Sequence, residues 1–267
     1  MISSQLQFIK LGGSLITEKD SPHTPRLDVL SRLAQEIARA VQQDPGIKII
    51  LGHGSGSYGH VPAHQHGTRQ GVASLQQWIG FVEVWREAAA LNHLVMDALA
   101  EAGLPAMSFP ASASVTARGR QVESWDITPL QAGLEAGLLP VIYGDVVFDR
   151  RLGGTILSTE DLFAHLARIL HPCRMLLATV EPGVWADYPA CTRLIEEITP
   201  VNLPDIVVVL SGSSATDVTG GMASKVTEML RLVEGHPGME VLIFSGLVPG
   251  QLLRILQGEV AGTCLHA

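Results

Sequence analysis

Short apolar runs alternate along this chain with longer stretches whose apolar residues recur every three or four positions. The runs 8–11, 47–51, 105–109, 139–143, 175–179, 206–210 and 241–244 are bounded by glycine, proline or polar residues, which predicts buried strands. Between them, Leu27, Leu30, Leu33, Ile37 and Val41 mark one face of a helix. A longer helix is predicted over 74–102, with Gly103 as its C-terminal cap. Shorter helices are predicted over 128–137, 158–170 and 249–257. Gly220-Gly221 opens another, with Met222, Val226, Met229, Leu230 and Val233 on one face. The stretch Ser158-Thr159-Glu160-Asp161 places a hydroxyl and two carboxylates in a first helical turn, where the helix dipole favours them. Arg118-Gly119-Arg120 has turn chemistry and predicts a hairpin over 115–125. A second hairpin is predicted over 146–156, and 263–265 reads as an edge strand.

Strands that alternate with helices imply an α/β domain with a mostly parallel sheet covered on both faces. Ligands of such sheets sit beyond the carboxyl ends of the strands. The glycine-rich turns after Leu11, Leu51 and Tyr143 are therefore expected on one rim. No repeat or low-complexity tract interrupts the 267 residues, which read as a single domain over 1–267. Approximate lobes are drawn at 1–171 and 172–267.

Composition narrows the partners. A formal net charge of -8 argues against non-specific nucleic-acid binding. Three scattered cysteines without C-x-x-C spacing suggest reduced thiols and no metal site. With no secretory leader pattern and no apolar run long enough to span a bilayer, a cytoplasmic protein without membrane partners is expected. Lysine usage is the sharper signal. The chain has four lysines against fourteen arginines, and Lys10, Lys19 and Lys225 lie in or beside glycine-rich turns. A compact, mobile point charge at such places suits phosphoryl transfer.

Three segments carry that chemistry. The first is Lys10-Leu11-Gly12-Gly13-Ser14, followed by Lys19. It is neither a Walker A loop nor a dinucleotide fingerprint. Gly12, Gly13 and Ser14 can still offer N–H groups to a polyphosphate, while Lys10 and Lys19 reach the transferring group from two sides. The second is Gly52-His53-Gly54-Ser55-Gly56-Ser57-Tyr58-Gly59-His60, whose glycines let the backbone approach an anion and whose last histidine adds a donor. The third is Thr216-Asp217-Val218-Thr219-Gly220-Gly221-Met222-Ala223-Ser224-Lys225, where two glycines precede a helix with a lysine one turn in. Taken singly, each also fits an ordinary tight turn or a capped helix. Tyr143-Gly144-Asp145 ends a strand on the same rim, where a carboxylate could hold lysines by ion pairing.

Taken together and in this order, these segments resemble the motifs of the amino acid kinase superfamily. The K-L-G-G-S-L-I-T-x-K start, the G-S-G-S-Y-G-H loop and the D-V-T-G-G-M-x-x-K segment resemble the isopentenyl phosphate kinase family most. A fosfomycin kinase has a similar loop and histidine and is the alternative. A catalytically silent nucleotide-sensing domain is a third reading. The resemblance implies an open αβα sandwich, an N-terminal lobe for the acceptor, a C-terminal lobe for ATP, and a homodimer. It implies that Lys10, Gly12, Gly13, Ser14, Gly56, Gly221 and Lys225 touch ATP phosphates, with nucleotide contacts near Thr179. Lys19 would stabilise the transferring phosphoryl. Ser55, Gly59 and Gly144 would contact the acceptor phosphate, His60 would hold it, and Asp145 would organise the lysines. Mg²⁺ would be held mainly by phosphates and water, with no protein metal ligands. The chain departs from the family pattern at Ser158-Thr159-Glu160, where Ser-Gly-Asp is common. It departs again at 180–185, where a V-D-G-V-Y type segment is common.

The acceptor implied is an isoprenoid monophosphate. Its second ionisation lies near pH 6, so it needs no strong base. The difficulty is to bring two anions together. An apolar tail needs an apolar wall, and Phe81, Val82 and Trp85 share a helix face on spacing alone; the same spacing also fits core packing or a dimer interface.

Overall fold

The computed structural model describes residues 6–18, 21–211 and 221–267. The strands are β1 (Leu6–Leu11), β2 (Lys48–His53), β3 (Ala106–Ser108), β4 (Val115–Arg118), β5 (Gln121–Trp125), β6 (Leu139–Tyr143), β7 (Asp145–Asp149) and β8 (Gly153–Leu157). They continue as β9 (Arg174–Thr179), β10 (Val184–Trp185), β11 (Leu194–Ile195), β12 (Glu197–Ile198), β13 (Glu240–Ser245) and β14 (Thr263–Leu265). The helices are α1 (Gly13–Ile16), α2 (Leu27–Gln43), α3 (Gly56–His66), α4 (Leu75–Glu101) and α5 (Ala111–Ser114). They continue as α6 (Thr128–Glu135), α7 (Thr159–Leu170), α8 (Leu203–Ser211), α9 (Gly221–Glu234) and α10 (Gln251–Leu256).

Eight strands form the central sheet in the order β12-β14-β13-β9-β1-β2-β6-β3. All described pairings in it are parallel except that of β13 with β14. Successive side chains of each strand point to opposite faces, so the apolar runs feed two cores. Phe8, Ile50, Ile142, Leu177 and Ile243 pack under α6, α7 and α9. Their neighbours Ile9, Leu51, Val141, Leu176 and Leu242 pack under α1, α2, α4 and α10. The architecture is thus the expected αβα sandwich with a mostly parallel sheet. A four-stranded sheet, β5-β4-β7-β8, stands beside it. Against that sheet, Val72, Phe81, Val84 and Val146 make a small separate core with Ala63, Trp78 and Ile156.

The chain order reverses at β1, which lies between β2 and β9. Each strand here hands its last hydrogen bond to a neighbouring turn. The Gly12 N–H donates to the Ala178 carbonyl at 2.8 Å, Gly54 to Leu11 at 3.0 Å, Gly144 to His53 at 3.3 Å and Gly246 to Thr179 at 2.8 Å. All of these turns therefore share one rim, at the switch point where open α/β sheets bind ligands.

Three expectations are corrected. The run 206–210 lies in helix α8, not a strand. Five apolar residues cannot be assigned by periodicity alone. Pro204 in the first turn and Asn202, whose side-chain oxygen accepts the Thr199 N–H at 2.8 Å, set a helical start. The strand at 263–265 is not an edge, because β12 pairs alongside it. The second glycine-rich segment is only partly a loop, since Gly56 already begins α3.

Candidate active site

Two glycine turns lie back to back on the rim. A Cβ on Gly13 would sit 2.4 Å from the Gly56 nitrogen, and one on Gly54 would sit 2.9 Å from the Gly13 nitrogen. No side chain fits between these backbones. The sequence folds this way because Gly56 takes a φ of +50°, which turns the chain from β2 into α3. Of the N–H groups in the two turns, those of Gly13, Ser14, Ser55 and Gly56 have no protein acceptor among the described residues. Others are already committed: Gly12 to Ala178, and Gly59 to the Ser55 carbonyl at 3.3 Å. The N–H groups of Gly12 and Gly59 are therefore engaged within the protein. Gly12 and Gly59 matter for space instead. A Cβ on Gly12 would meet the Ala178 oxygen at 3.0 Å, and one on Gly59 the Ser55 side chain at 2.7 Å. The Ser57 hydroxyl is also buried here, with no partner among the described residues.

Thr17 joins the two turns. Fully buried, its hydroxyl donates to the Gly13 carbonyl at 2.9 Å and accepts the Ser57 N–H at 2.9 Å. Behind α3, His53 is buried and its Nδ1–H donates to the Gly54 carbonyl at 3.1 Å, with Nε2 3.2 Å from the Asn92 side chain of α4. Burial pushes the imidazole below its ordinary pKa, with the hydrogen bonds to Gly54 and Asn92 opposing the fall and the Lys10 charge adding to it. It stacks on Tyr143 at 5.2 Å. The Thr159 hydroxyl donates to the His53 carbonyl at 2.6 Å.

Lys10, next to last in β1, lies under the first turn and makes an ion pair and a hydrogen bond with Glu160. Burial pulls Lys10 below its ordinary pKa, with Glu160 opposing the fall and Lys225 adding to it. Burial also works against the Glu160 carboxylate, but the charges of Lys10 and Lys225 outweigh it and hold its pKa well below the ordinary value. Glu160 stands in the first turn of α7, where Ser158 and Asp161 form a capping box. The segment that departs from the family pattern thus supplies the carboxylate that meets Lys10. Sequence reasoning did not assign it that role, although two carboxylates in a first helical turn were its signal.

Asp145 was expected to organise the lysines; for Lys10 that carboxylate is Glu160. Asp145 is buried at the start of β7 and accepts the Ser112 N–H at 3.1 Å and the Val146 N–H at 2.8 Å. Burial raises its pKa to about 6 even though the Ser112 side chain and these N–H groups favour the charged form. Lys19 and Gly220 lie outside the described residues. Gly221 opens α9, and Lys225 follows one turn later, half-buried and close enough to act on both Lys10 and Glu160. His60 is exposed on the second turn of α3. Gly144 follows β6 on the same rim. The Thr179 hydroxyl donates to the Glu181 carbonyl at 2.8 Å, at the end of β9.

Phe81 and Trp85 do not line one wall. Phe81 is buried in the small core beside the β7–β8 hairpin, whereas Trp85 is 42% exposed on the flank of α4. A four-residue separation advances the helix by 400°, and here those 40° carry Trp85 off the buried face. Among the described residues, no group of three His, Cys, Asp or Glu side chains could hold a metal ion.

The fold and this rim define a member of the amino acid kinase family, whose profile matches residues 5–245; the chain belongs to that family. It is similar to an isopentenyl phosphate kinase of Methanothermobacter thermautotrophicus, at 38% identity over 96% of this chain and 97% of that protein. A solved isopentenyl phosphate kinase superposes with a TM-score of 0.83 at 33% identity, covering 97% of this chain and 99% of the other. An isopentenyl phosphate kinase substrate complex superposes with a TM-score of 0.74 at 25% identity, covering 97% and 100%.

Proposed function

We propose that this protein transfers the γ-phosphoryl group of ATP to isopentenyl phosphate, giving isopentenyl diphosphate. The observation that carries the reading is the back-to-back contact of the Gly13 and Gly56 turns, each with N–H groups that have no acceptor among the described residues. Two facing anion cradles suit a reaction that joins two phosphates.

In this reading Lys10, Gly13, Ser14 and Lys225 bind the nucleotide phosphates, with Gly12, Gly221 and Thr179 shaping the backbone around them. Lys19 stabilises the transferring group. Ser55 and Gly56 present N–H groups to the acceptor phosphate, Gly144 leaves room beside it, and the exposed His60 donates to it. Glu160 keeps Lys10 oriented, and Asp145 fixes the Ser112 turn against β7. The acceptor phosphate is itself the nucleophile, so catalysis is positioning and charge neutralisation. Mg²⁺ bound to the nucleotide phosphates would add to that neutralisation. Ala63 lies one turn beyond His60, and with Phe81, Val84 and Ile156 it offers the isoprenoid tail an apolar wall. The approximate lobes divide the work, 1–171 for the acceptor and 172–267 for the nucleotide. A homodimer through α4 and a cytoplasmic location complete the reading. Among the described residues no helix is long and apolar enough to cross a membrane.

The test is ADP release with Mg-ATP and isopentenyl phosphate, dimethylallyl phosphate or fosfomycin as acceptor. Turnover with isopentenyl phosphate and little with fosfomycin supports the proposal. Preference for fosfomycin overturns it. His60→Ala should abolish most turnover while leaving ATP binding by calorimetry largely intact, and unchanged turnover would remove the histidine from the site.

A further inference from the structure

We infer that Thr17 is a positioning residue that sets the separation between the nucleotide-side and acceptor-side turns. The inference rests on the proposed kinase reaction. Thr17 ends α1, so its backbone belongs to the nucleotide-side turn: its own N–H donates to the Gly13 carbonyl at 3.0 Å. Its hydroxyl serves both turns at once, giving its proton to the Gly13 carbonyl and receiving the Ser57 N–H, each at 2.9 Å. Both capacities of one oxygen are used in defined directions, which fixes its rotor. Ser57 is in the first turn of α3, where an N–H has no partner within the helix. Thr17 takes that N–H, leaving the Ser55 and Gly56 N–H groups to face a ligand. The fit is close. A Cβ on Gly56 would lie 2.3 Å from the Thr17 hydroxyl oxygen and 2.8 Å from its methyl carbon.

The two turns otherwise meet through glycine backbone, which has little shape of its own. A hydroxyl bridge between them converts two separate anion sites into one with a set phosphate-to-phosphate distance. In-line transfer depends on that distance, and an error of about 1 Å costs on the order of a hundredfold in rate. Binding of either substrate alone does not depend on it.

Thr17→Val keeps the shape and removes the bridge, and Thr17→Ser keeps the bridge. The kinetics of wild-type protein and variants are measured with ATP and isopentenyl phosphate. Dissociation constants for a non-hydrolysable ATP analogue and for isopentenyl phosphate are measured separately by calorimetry. Thr17→Val should lose about a hundredfold in kcat, with each dissociation constant within about threefold of wild type, and Thr17→Ser should keep most of the kcat. Should the valine variant not fold, Thr17→Ala replaces it under the same criteria. Retained kcat in a folded variant without the hydroxyl overturns the inference. So does equal loss in Thr17→Ser, or loss explained by weakened binding of one substrate. Wild-type protein inactive on isopentenyl phosphate would instead refute the reaction itself, and binding of the two ligands would show the site intact.

Discussion

Glu160, partly buried, and Asp145, fully buried, are two carboxylates on one rim with opposite electrostatic fates. Glu160 faces Lys10 and feels Lys225, so it is held charged, whereas Asp145 is met by hydrogen bonds from Ser112 and Val146, and burial holds it toward neutrality. Their contributions to stability therefore run in opposite directions with pH. For Glu160 the folded pKa lies below the unfolded value, so its stabilisation is present above the unfolded pKa and is lost as pH falls through the folded one. Glu160→Gln should cost roughly 3 kcal/mol at neutral pH, because the largely covered Lys10 loses its ion-pair partner. Denaturant melts at several pH values should show the gap to wild type closing below about pH 4. For Asp145 the folded pKa, at about 6, lies above the unfolded one. The folded state then holds more protons between those values, and stability falls as pH rises through that window. Asp145→Asn keeps an acceptor for Ser112 and removes the charge. It should gain on wild type by roughly 3 kcal/mol between about pH 4 and 6, and parallel melting curves across that range would disprove the assignment.

At the scale of elements, the strands and helices that build the sheet were legible because their patterns are long or cleanly bounded. Amphipathic α2 and the capped start of α7 follow directly from spacing and first-turn chemistry. The α8 segment was not legible, because a short apolar run carries no period to read. The start of α3 inside a glycine-rich motif was missed for a different reason. Glycine there signals permissiveness, and only tertiary contact decides what conformation it takes. The lysines and His60 could be named from their motifs, but the pairing of Lys10 with Glu160 spans 150 positions and depends on register. The bridging of two turns by Thr17 is invisible for the same reason, since each hydrogen bond needs both turns in place. The contact between turns gives an element-level expectation. Gly56→Ala adds a Cβ against Thr17 at a φ of +50°. It should abolish turnover while leaving α2 and the far side of the sheet intact. Circular dichroism close to wild type with no ADP release would be the result, and near-normal kcat would show that the two turns can separate without harm.

For the whole molecule, the surface of α4 is the feature the monomer leaves unexplained. Leu75 is 78% exposed, Ile79 54% and Val82 50%, at spacings of four and three residues along one stripe. Glu83, Arg86 and Glu87 border it with both signs of charge. A contiguous apolar stripe with a mixed-charge rim marks an interaction site. A twofold contact in which this helix meets its own copy suits that rim, because acidic and basic residues of one chain then face those of the other. The opposite face of the same helix carries Phe81 and Asn92, against the tail-side core and the His53 network, so pairing through α4 would also brace the acceptor side. Wild-type protein should therefore sediment as a dimer. Ile79→Asp together with Val82→Asp should sediment as a monomer, since each buries a carboxylate at the centre of the contact without touching the described site. If α4 braces the acceptor side, the monomer should show a raised KM for isopentenyl phosphate with its ATP affinity unchanged. A monomeric wild type would refute the interface, and a monomeric variant with unaltered KM would separate assembly from catalysis.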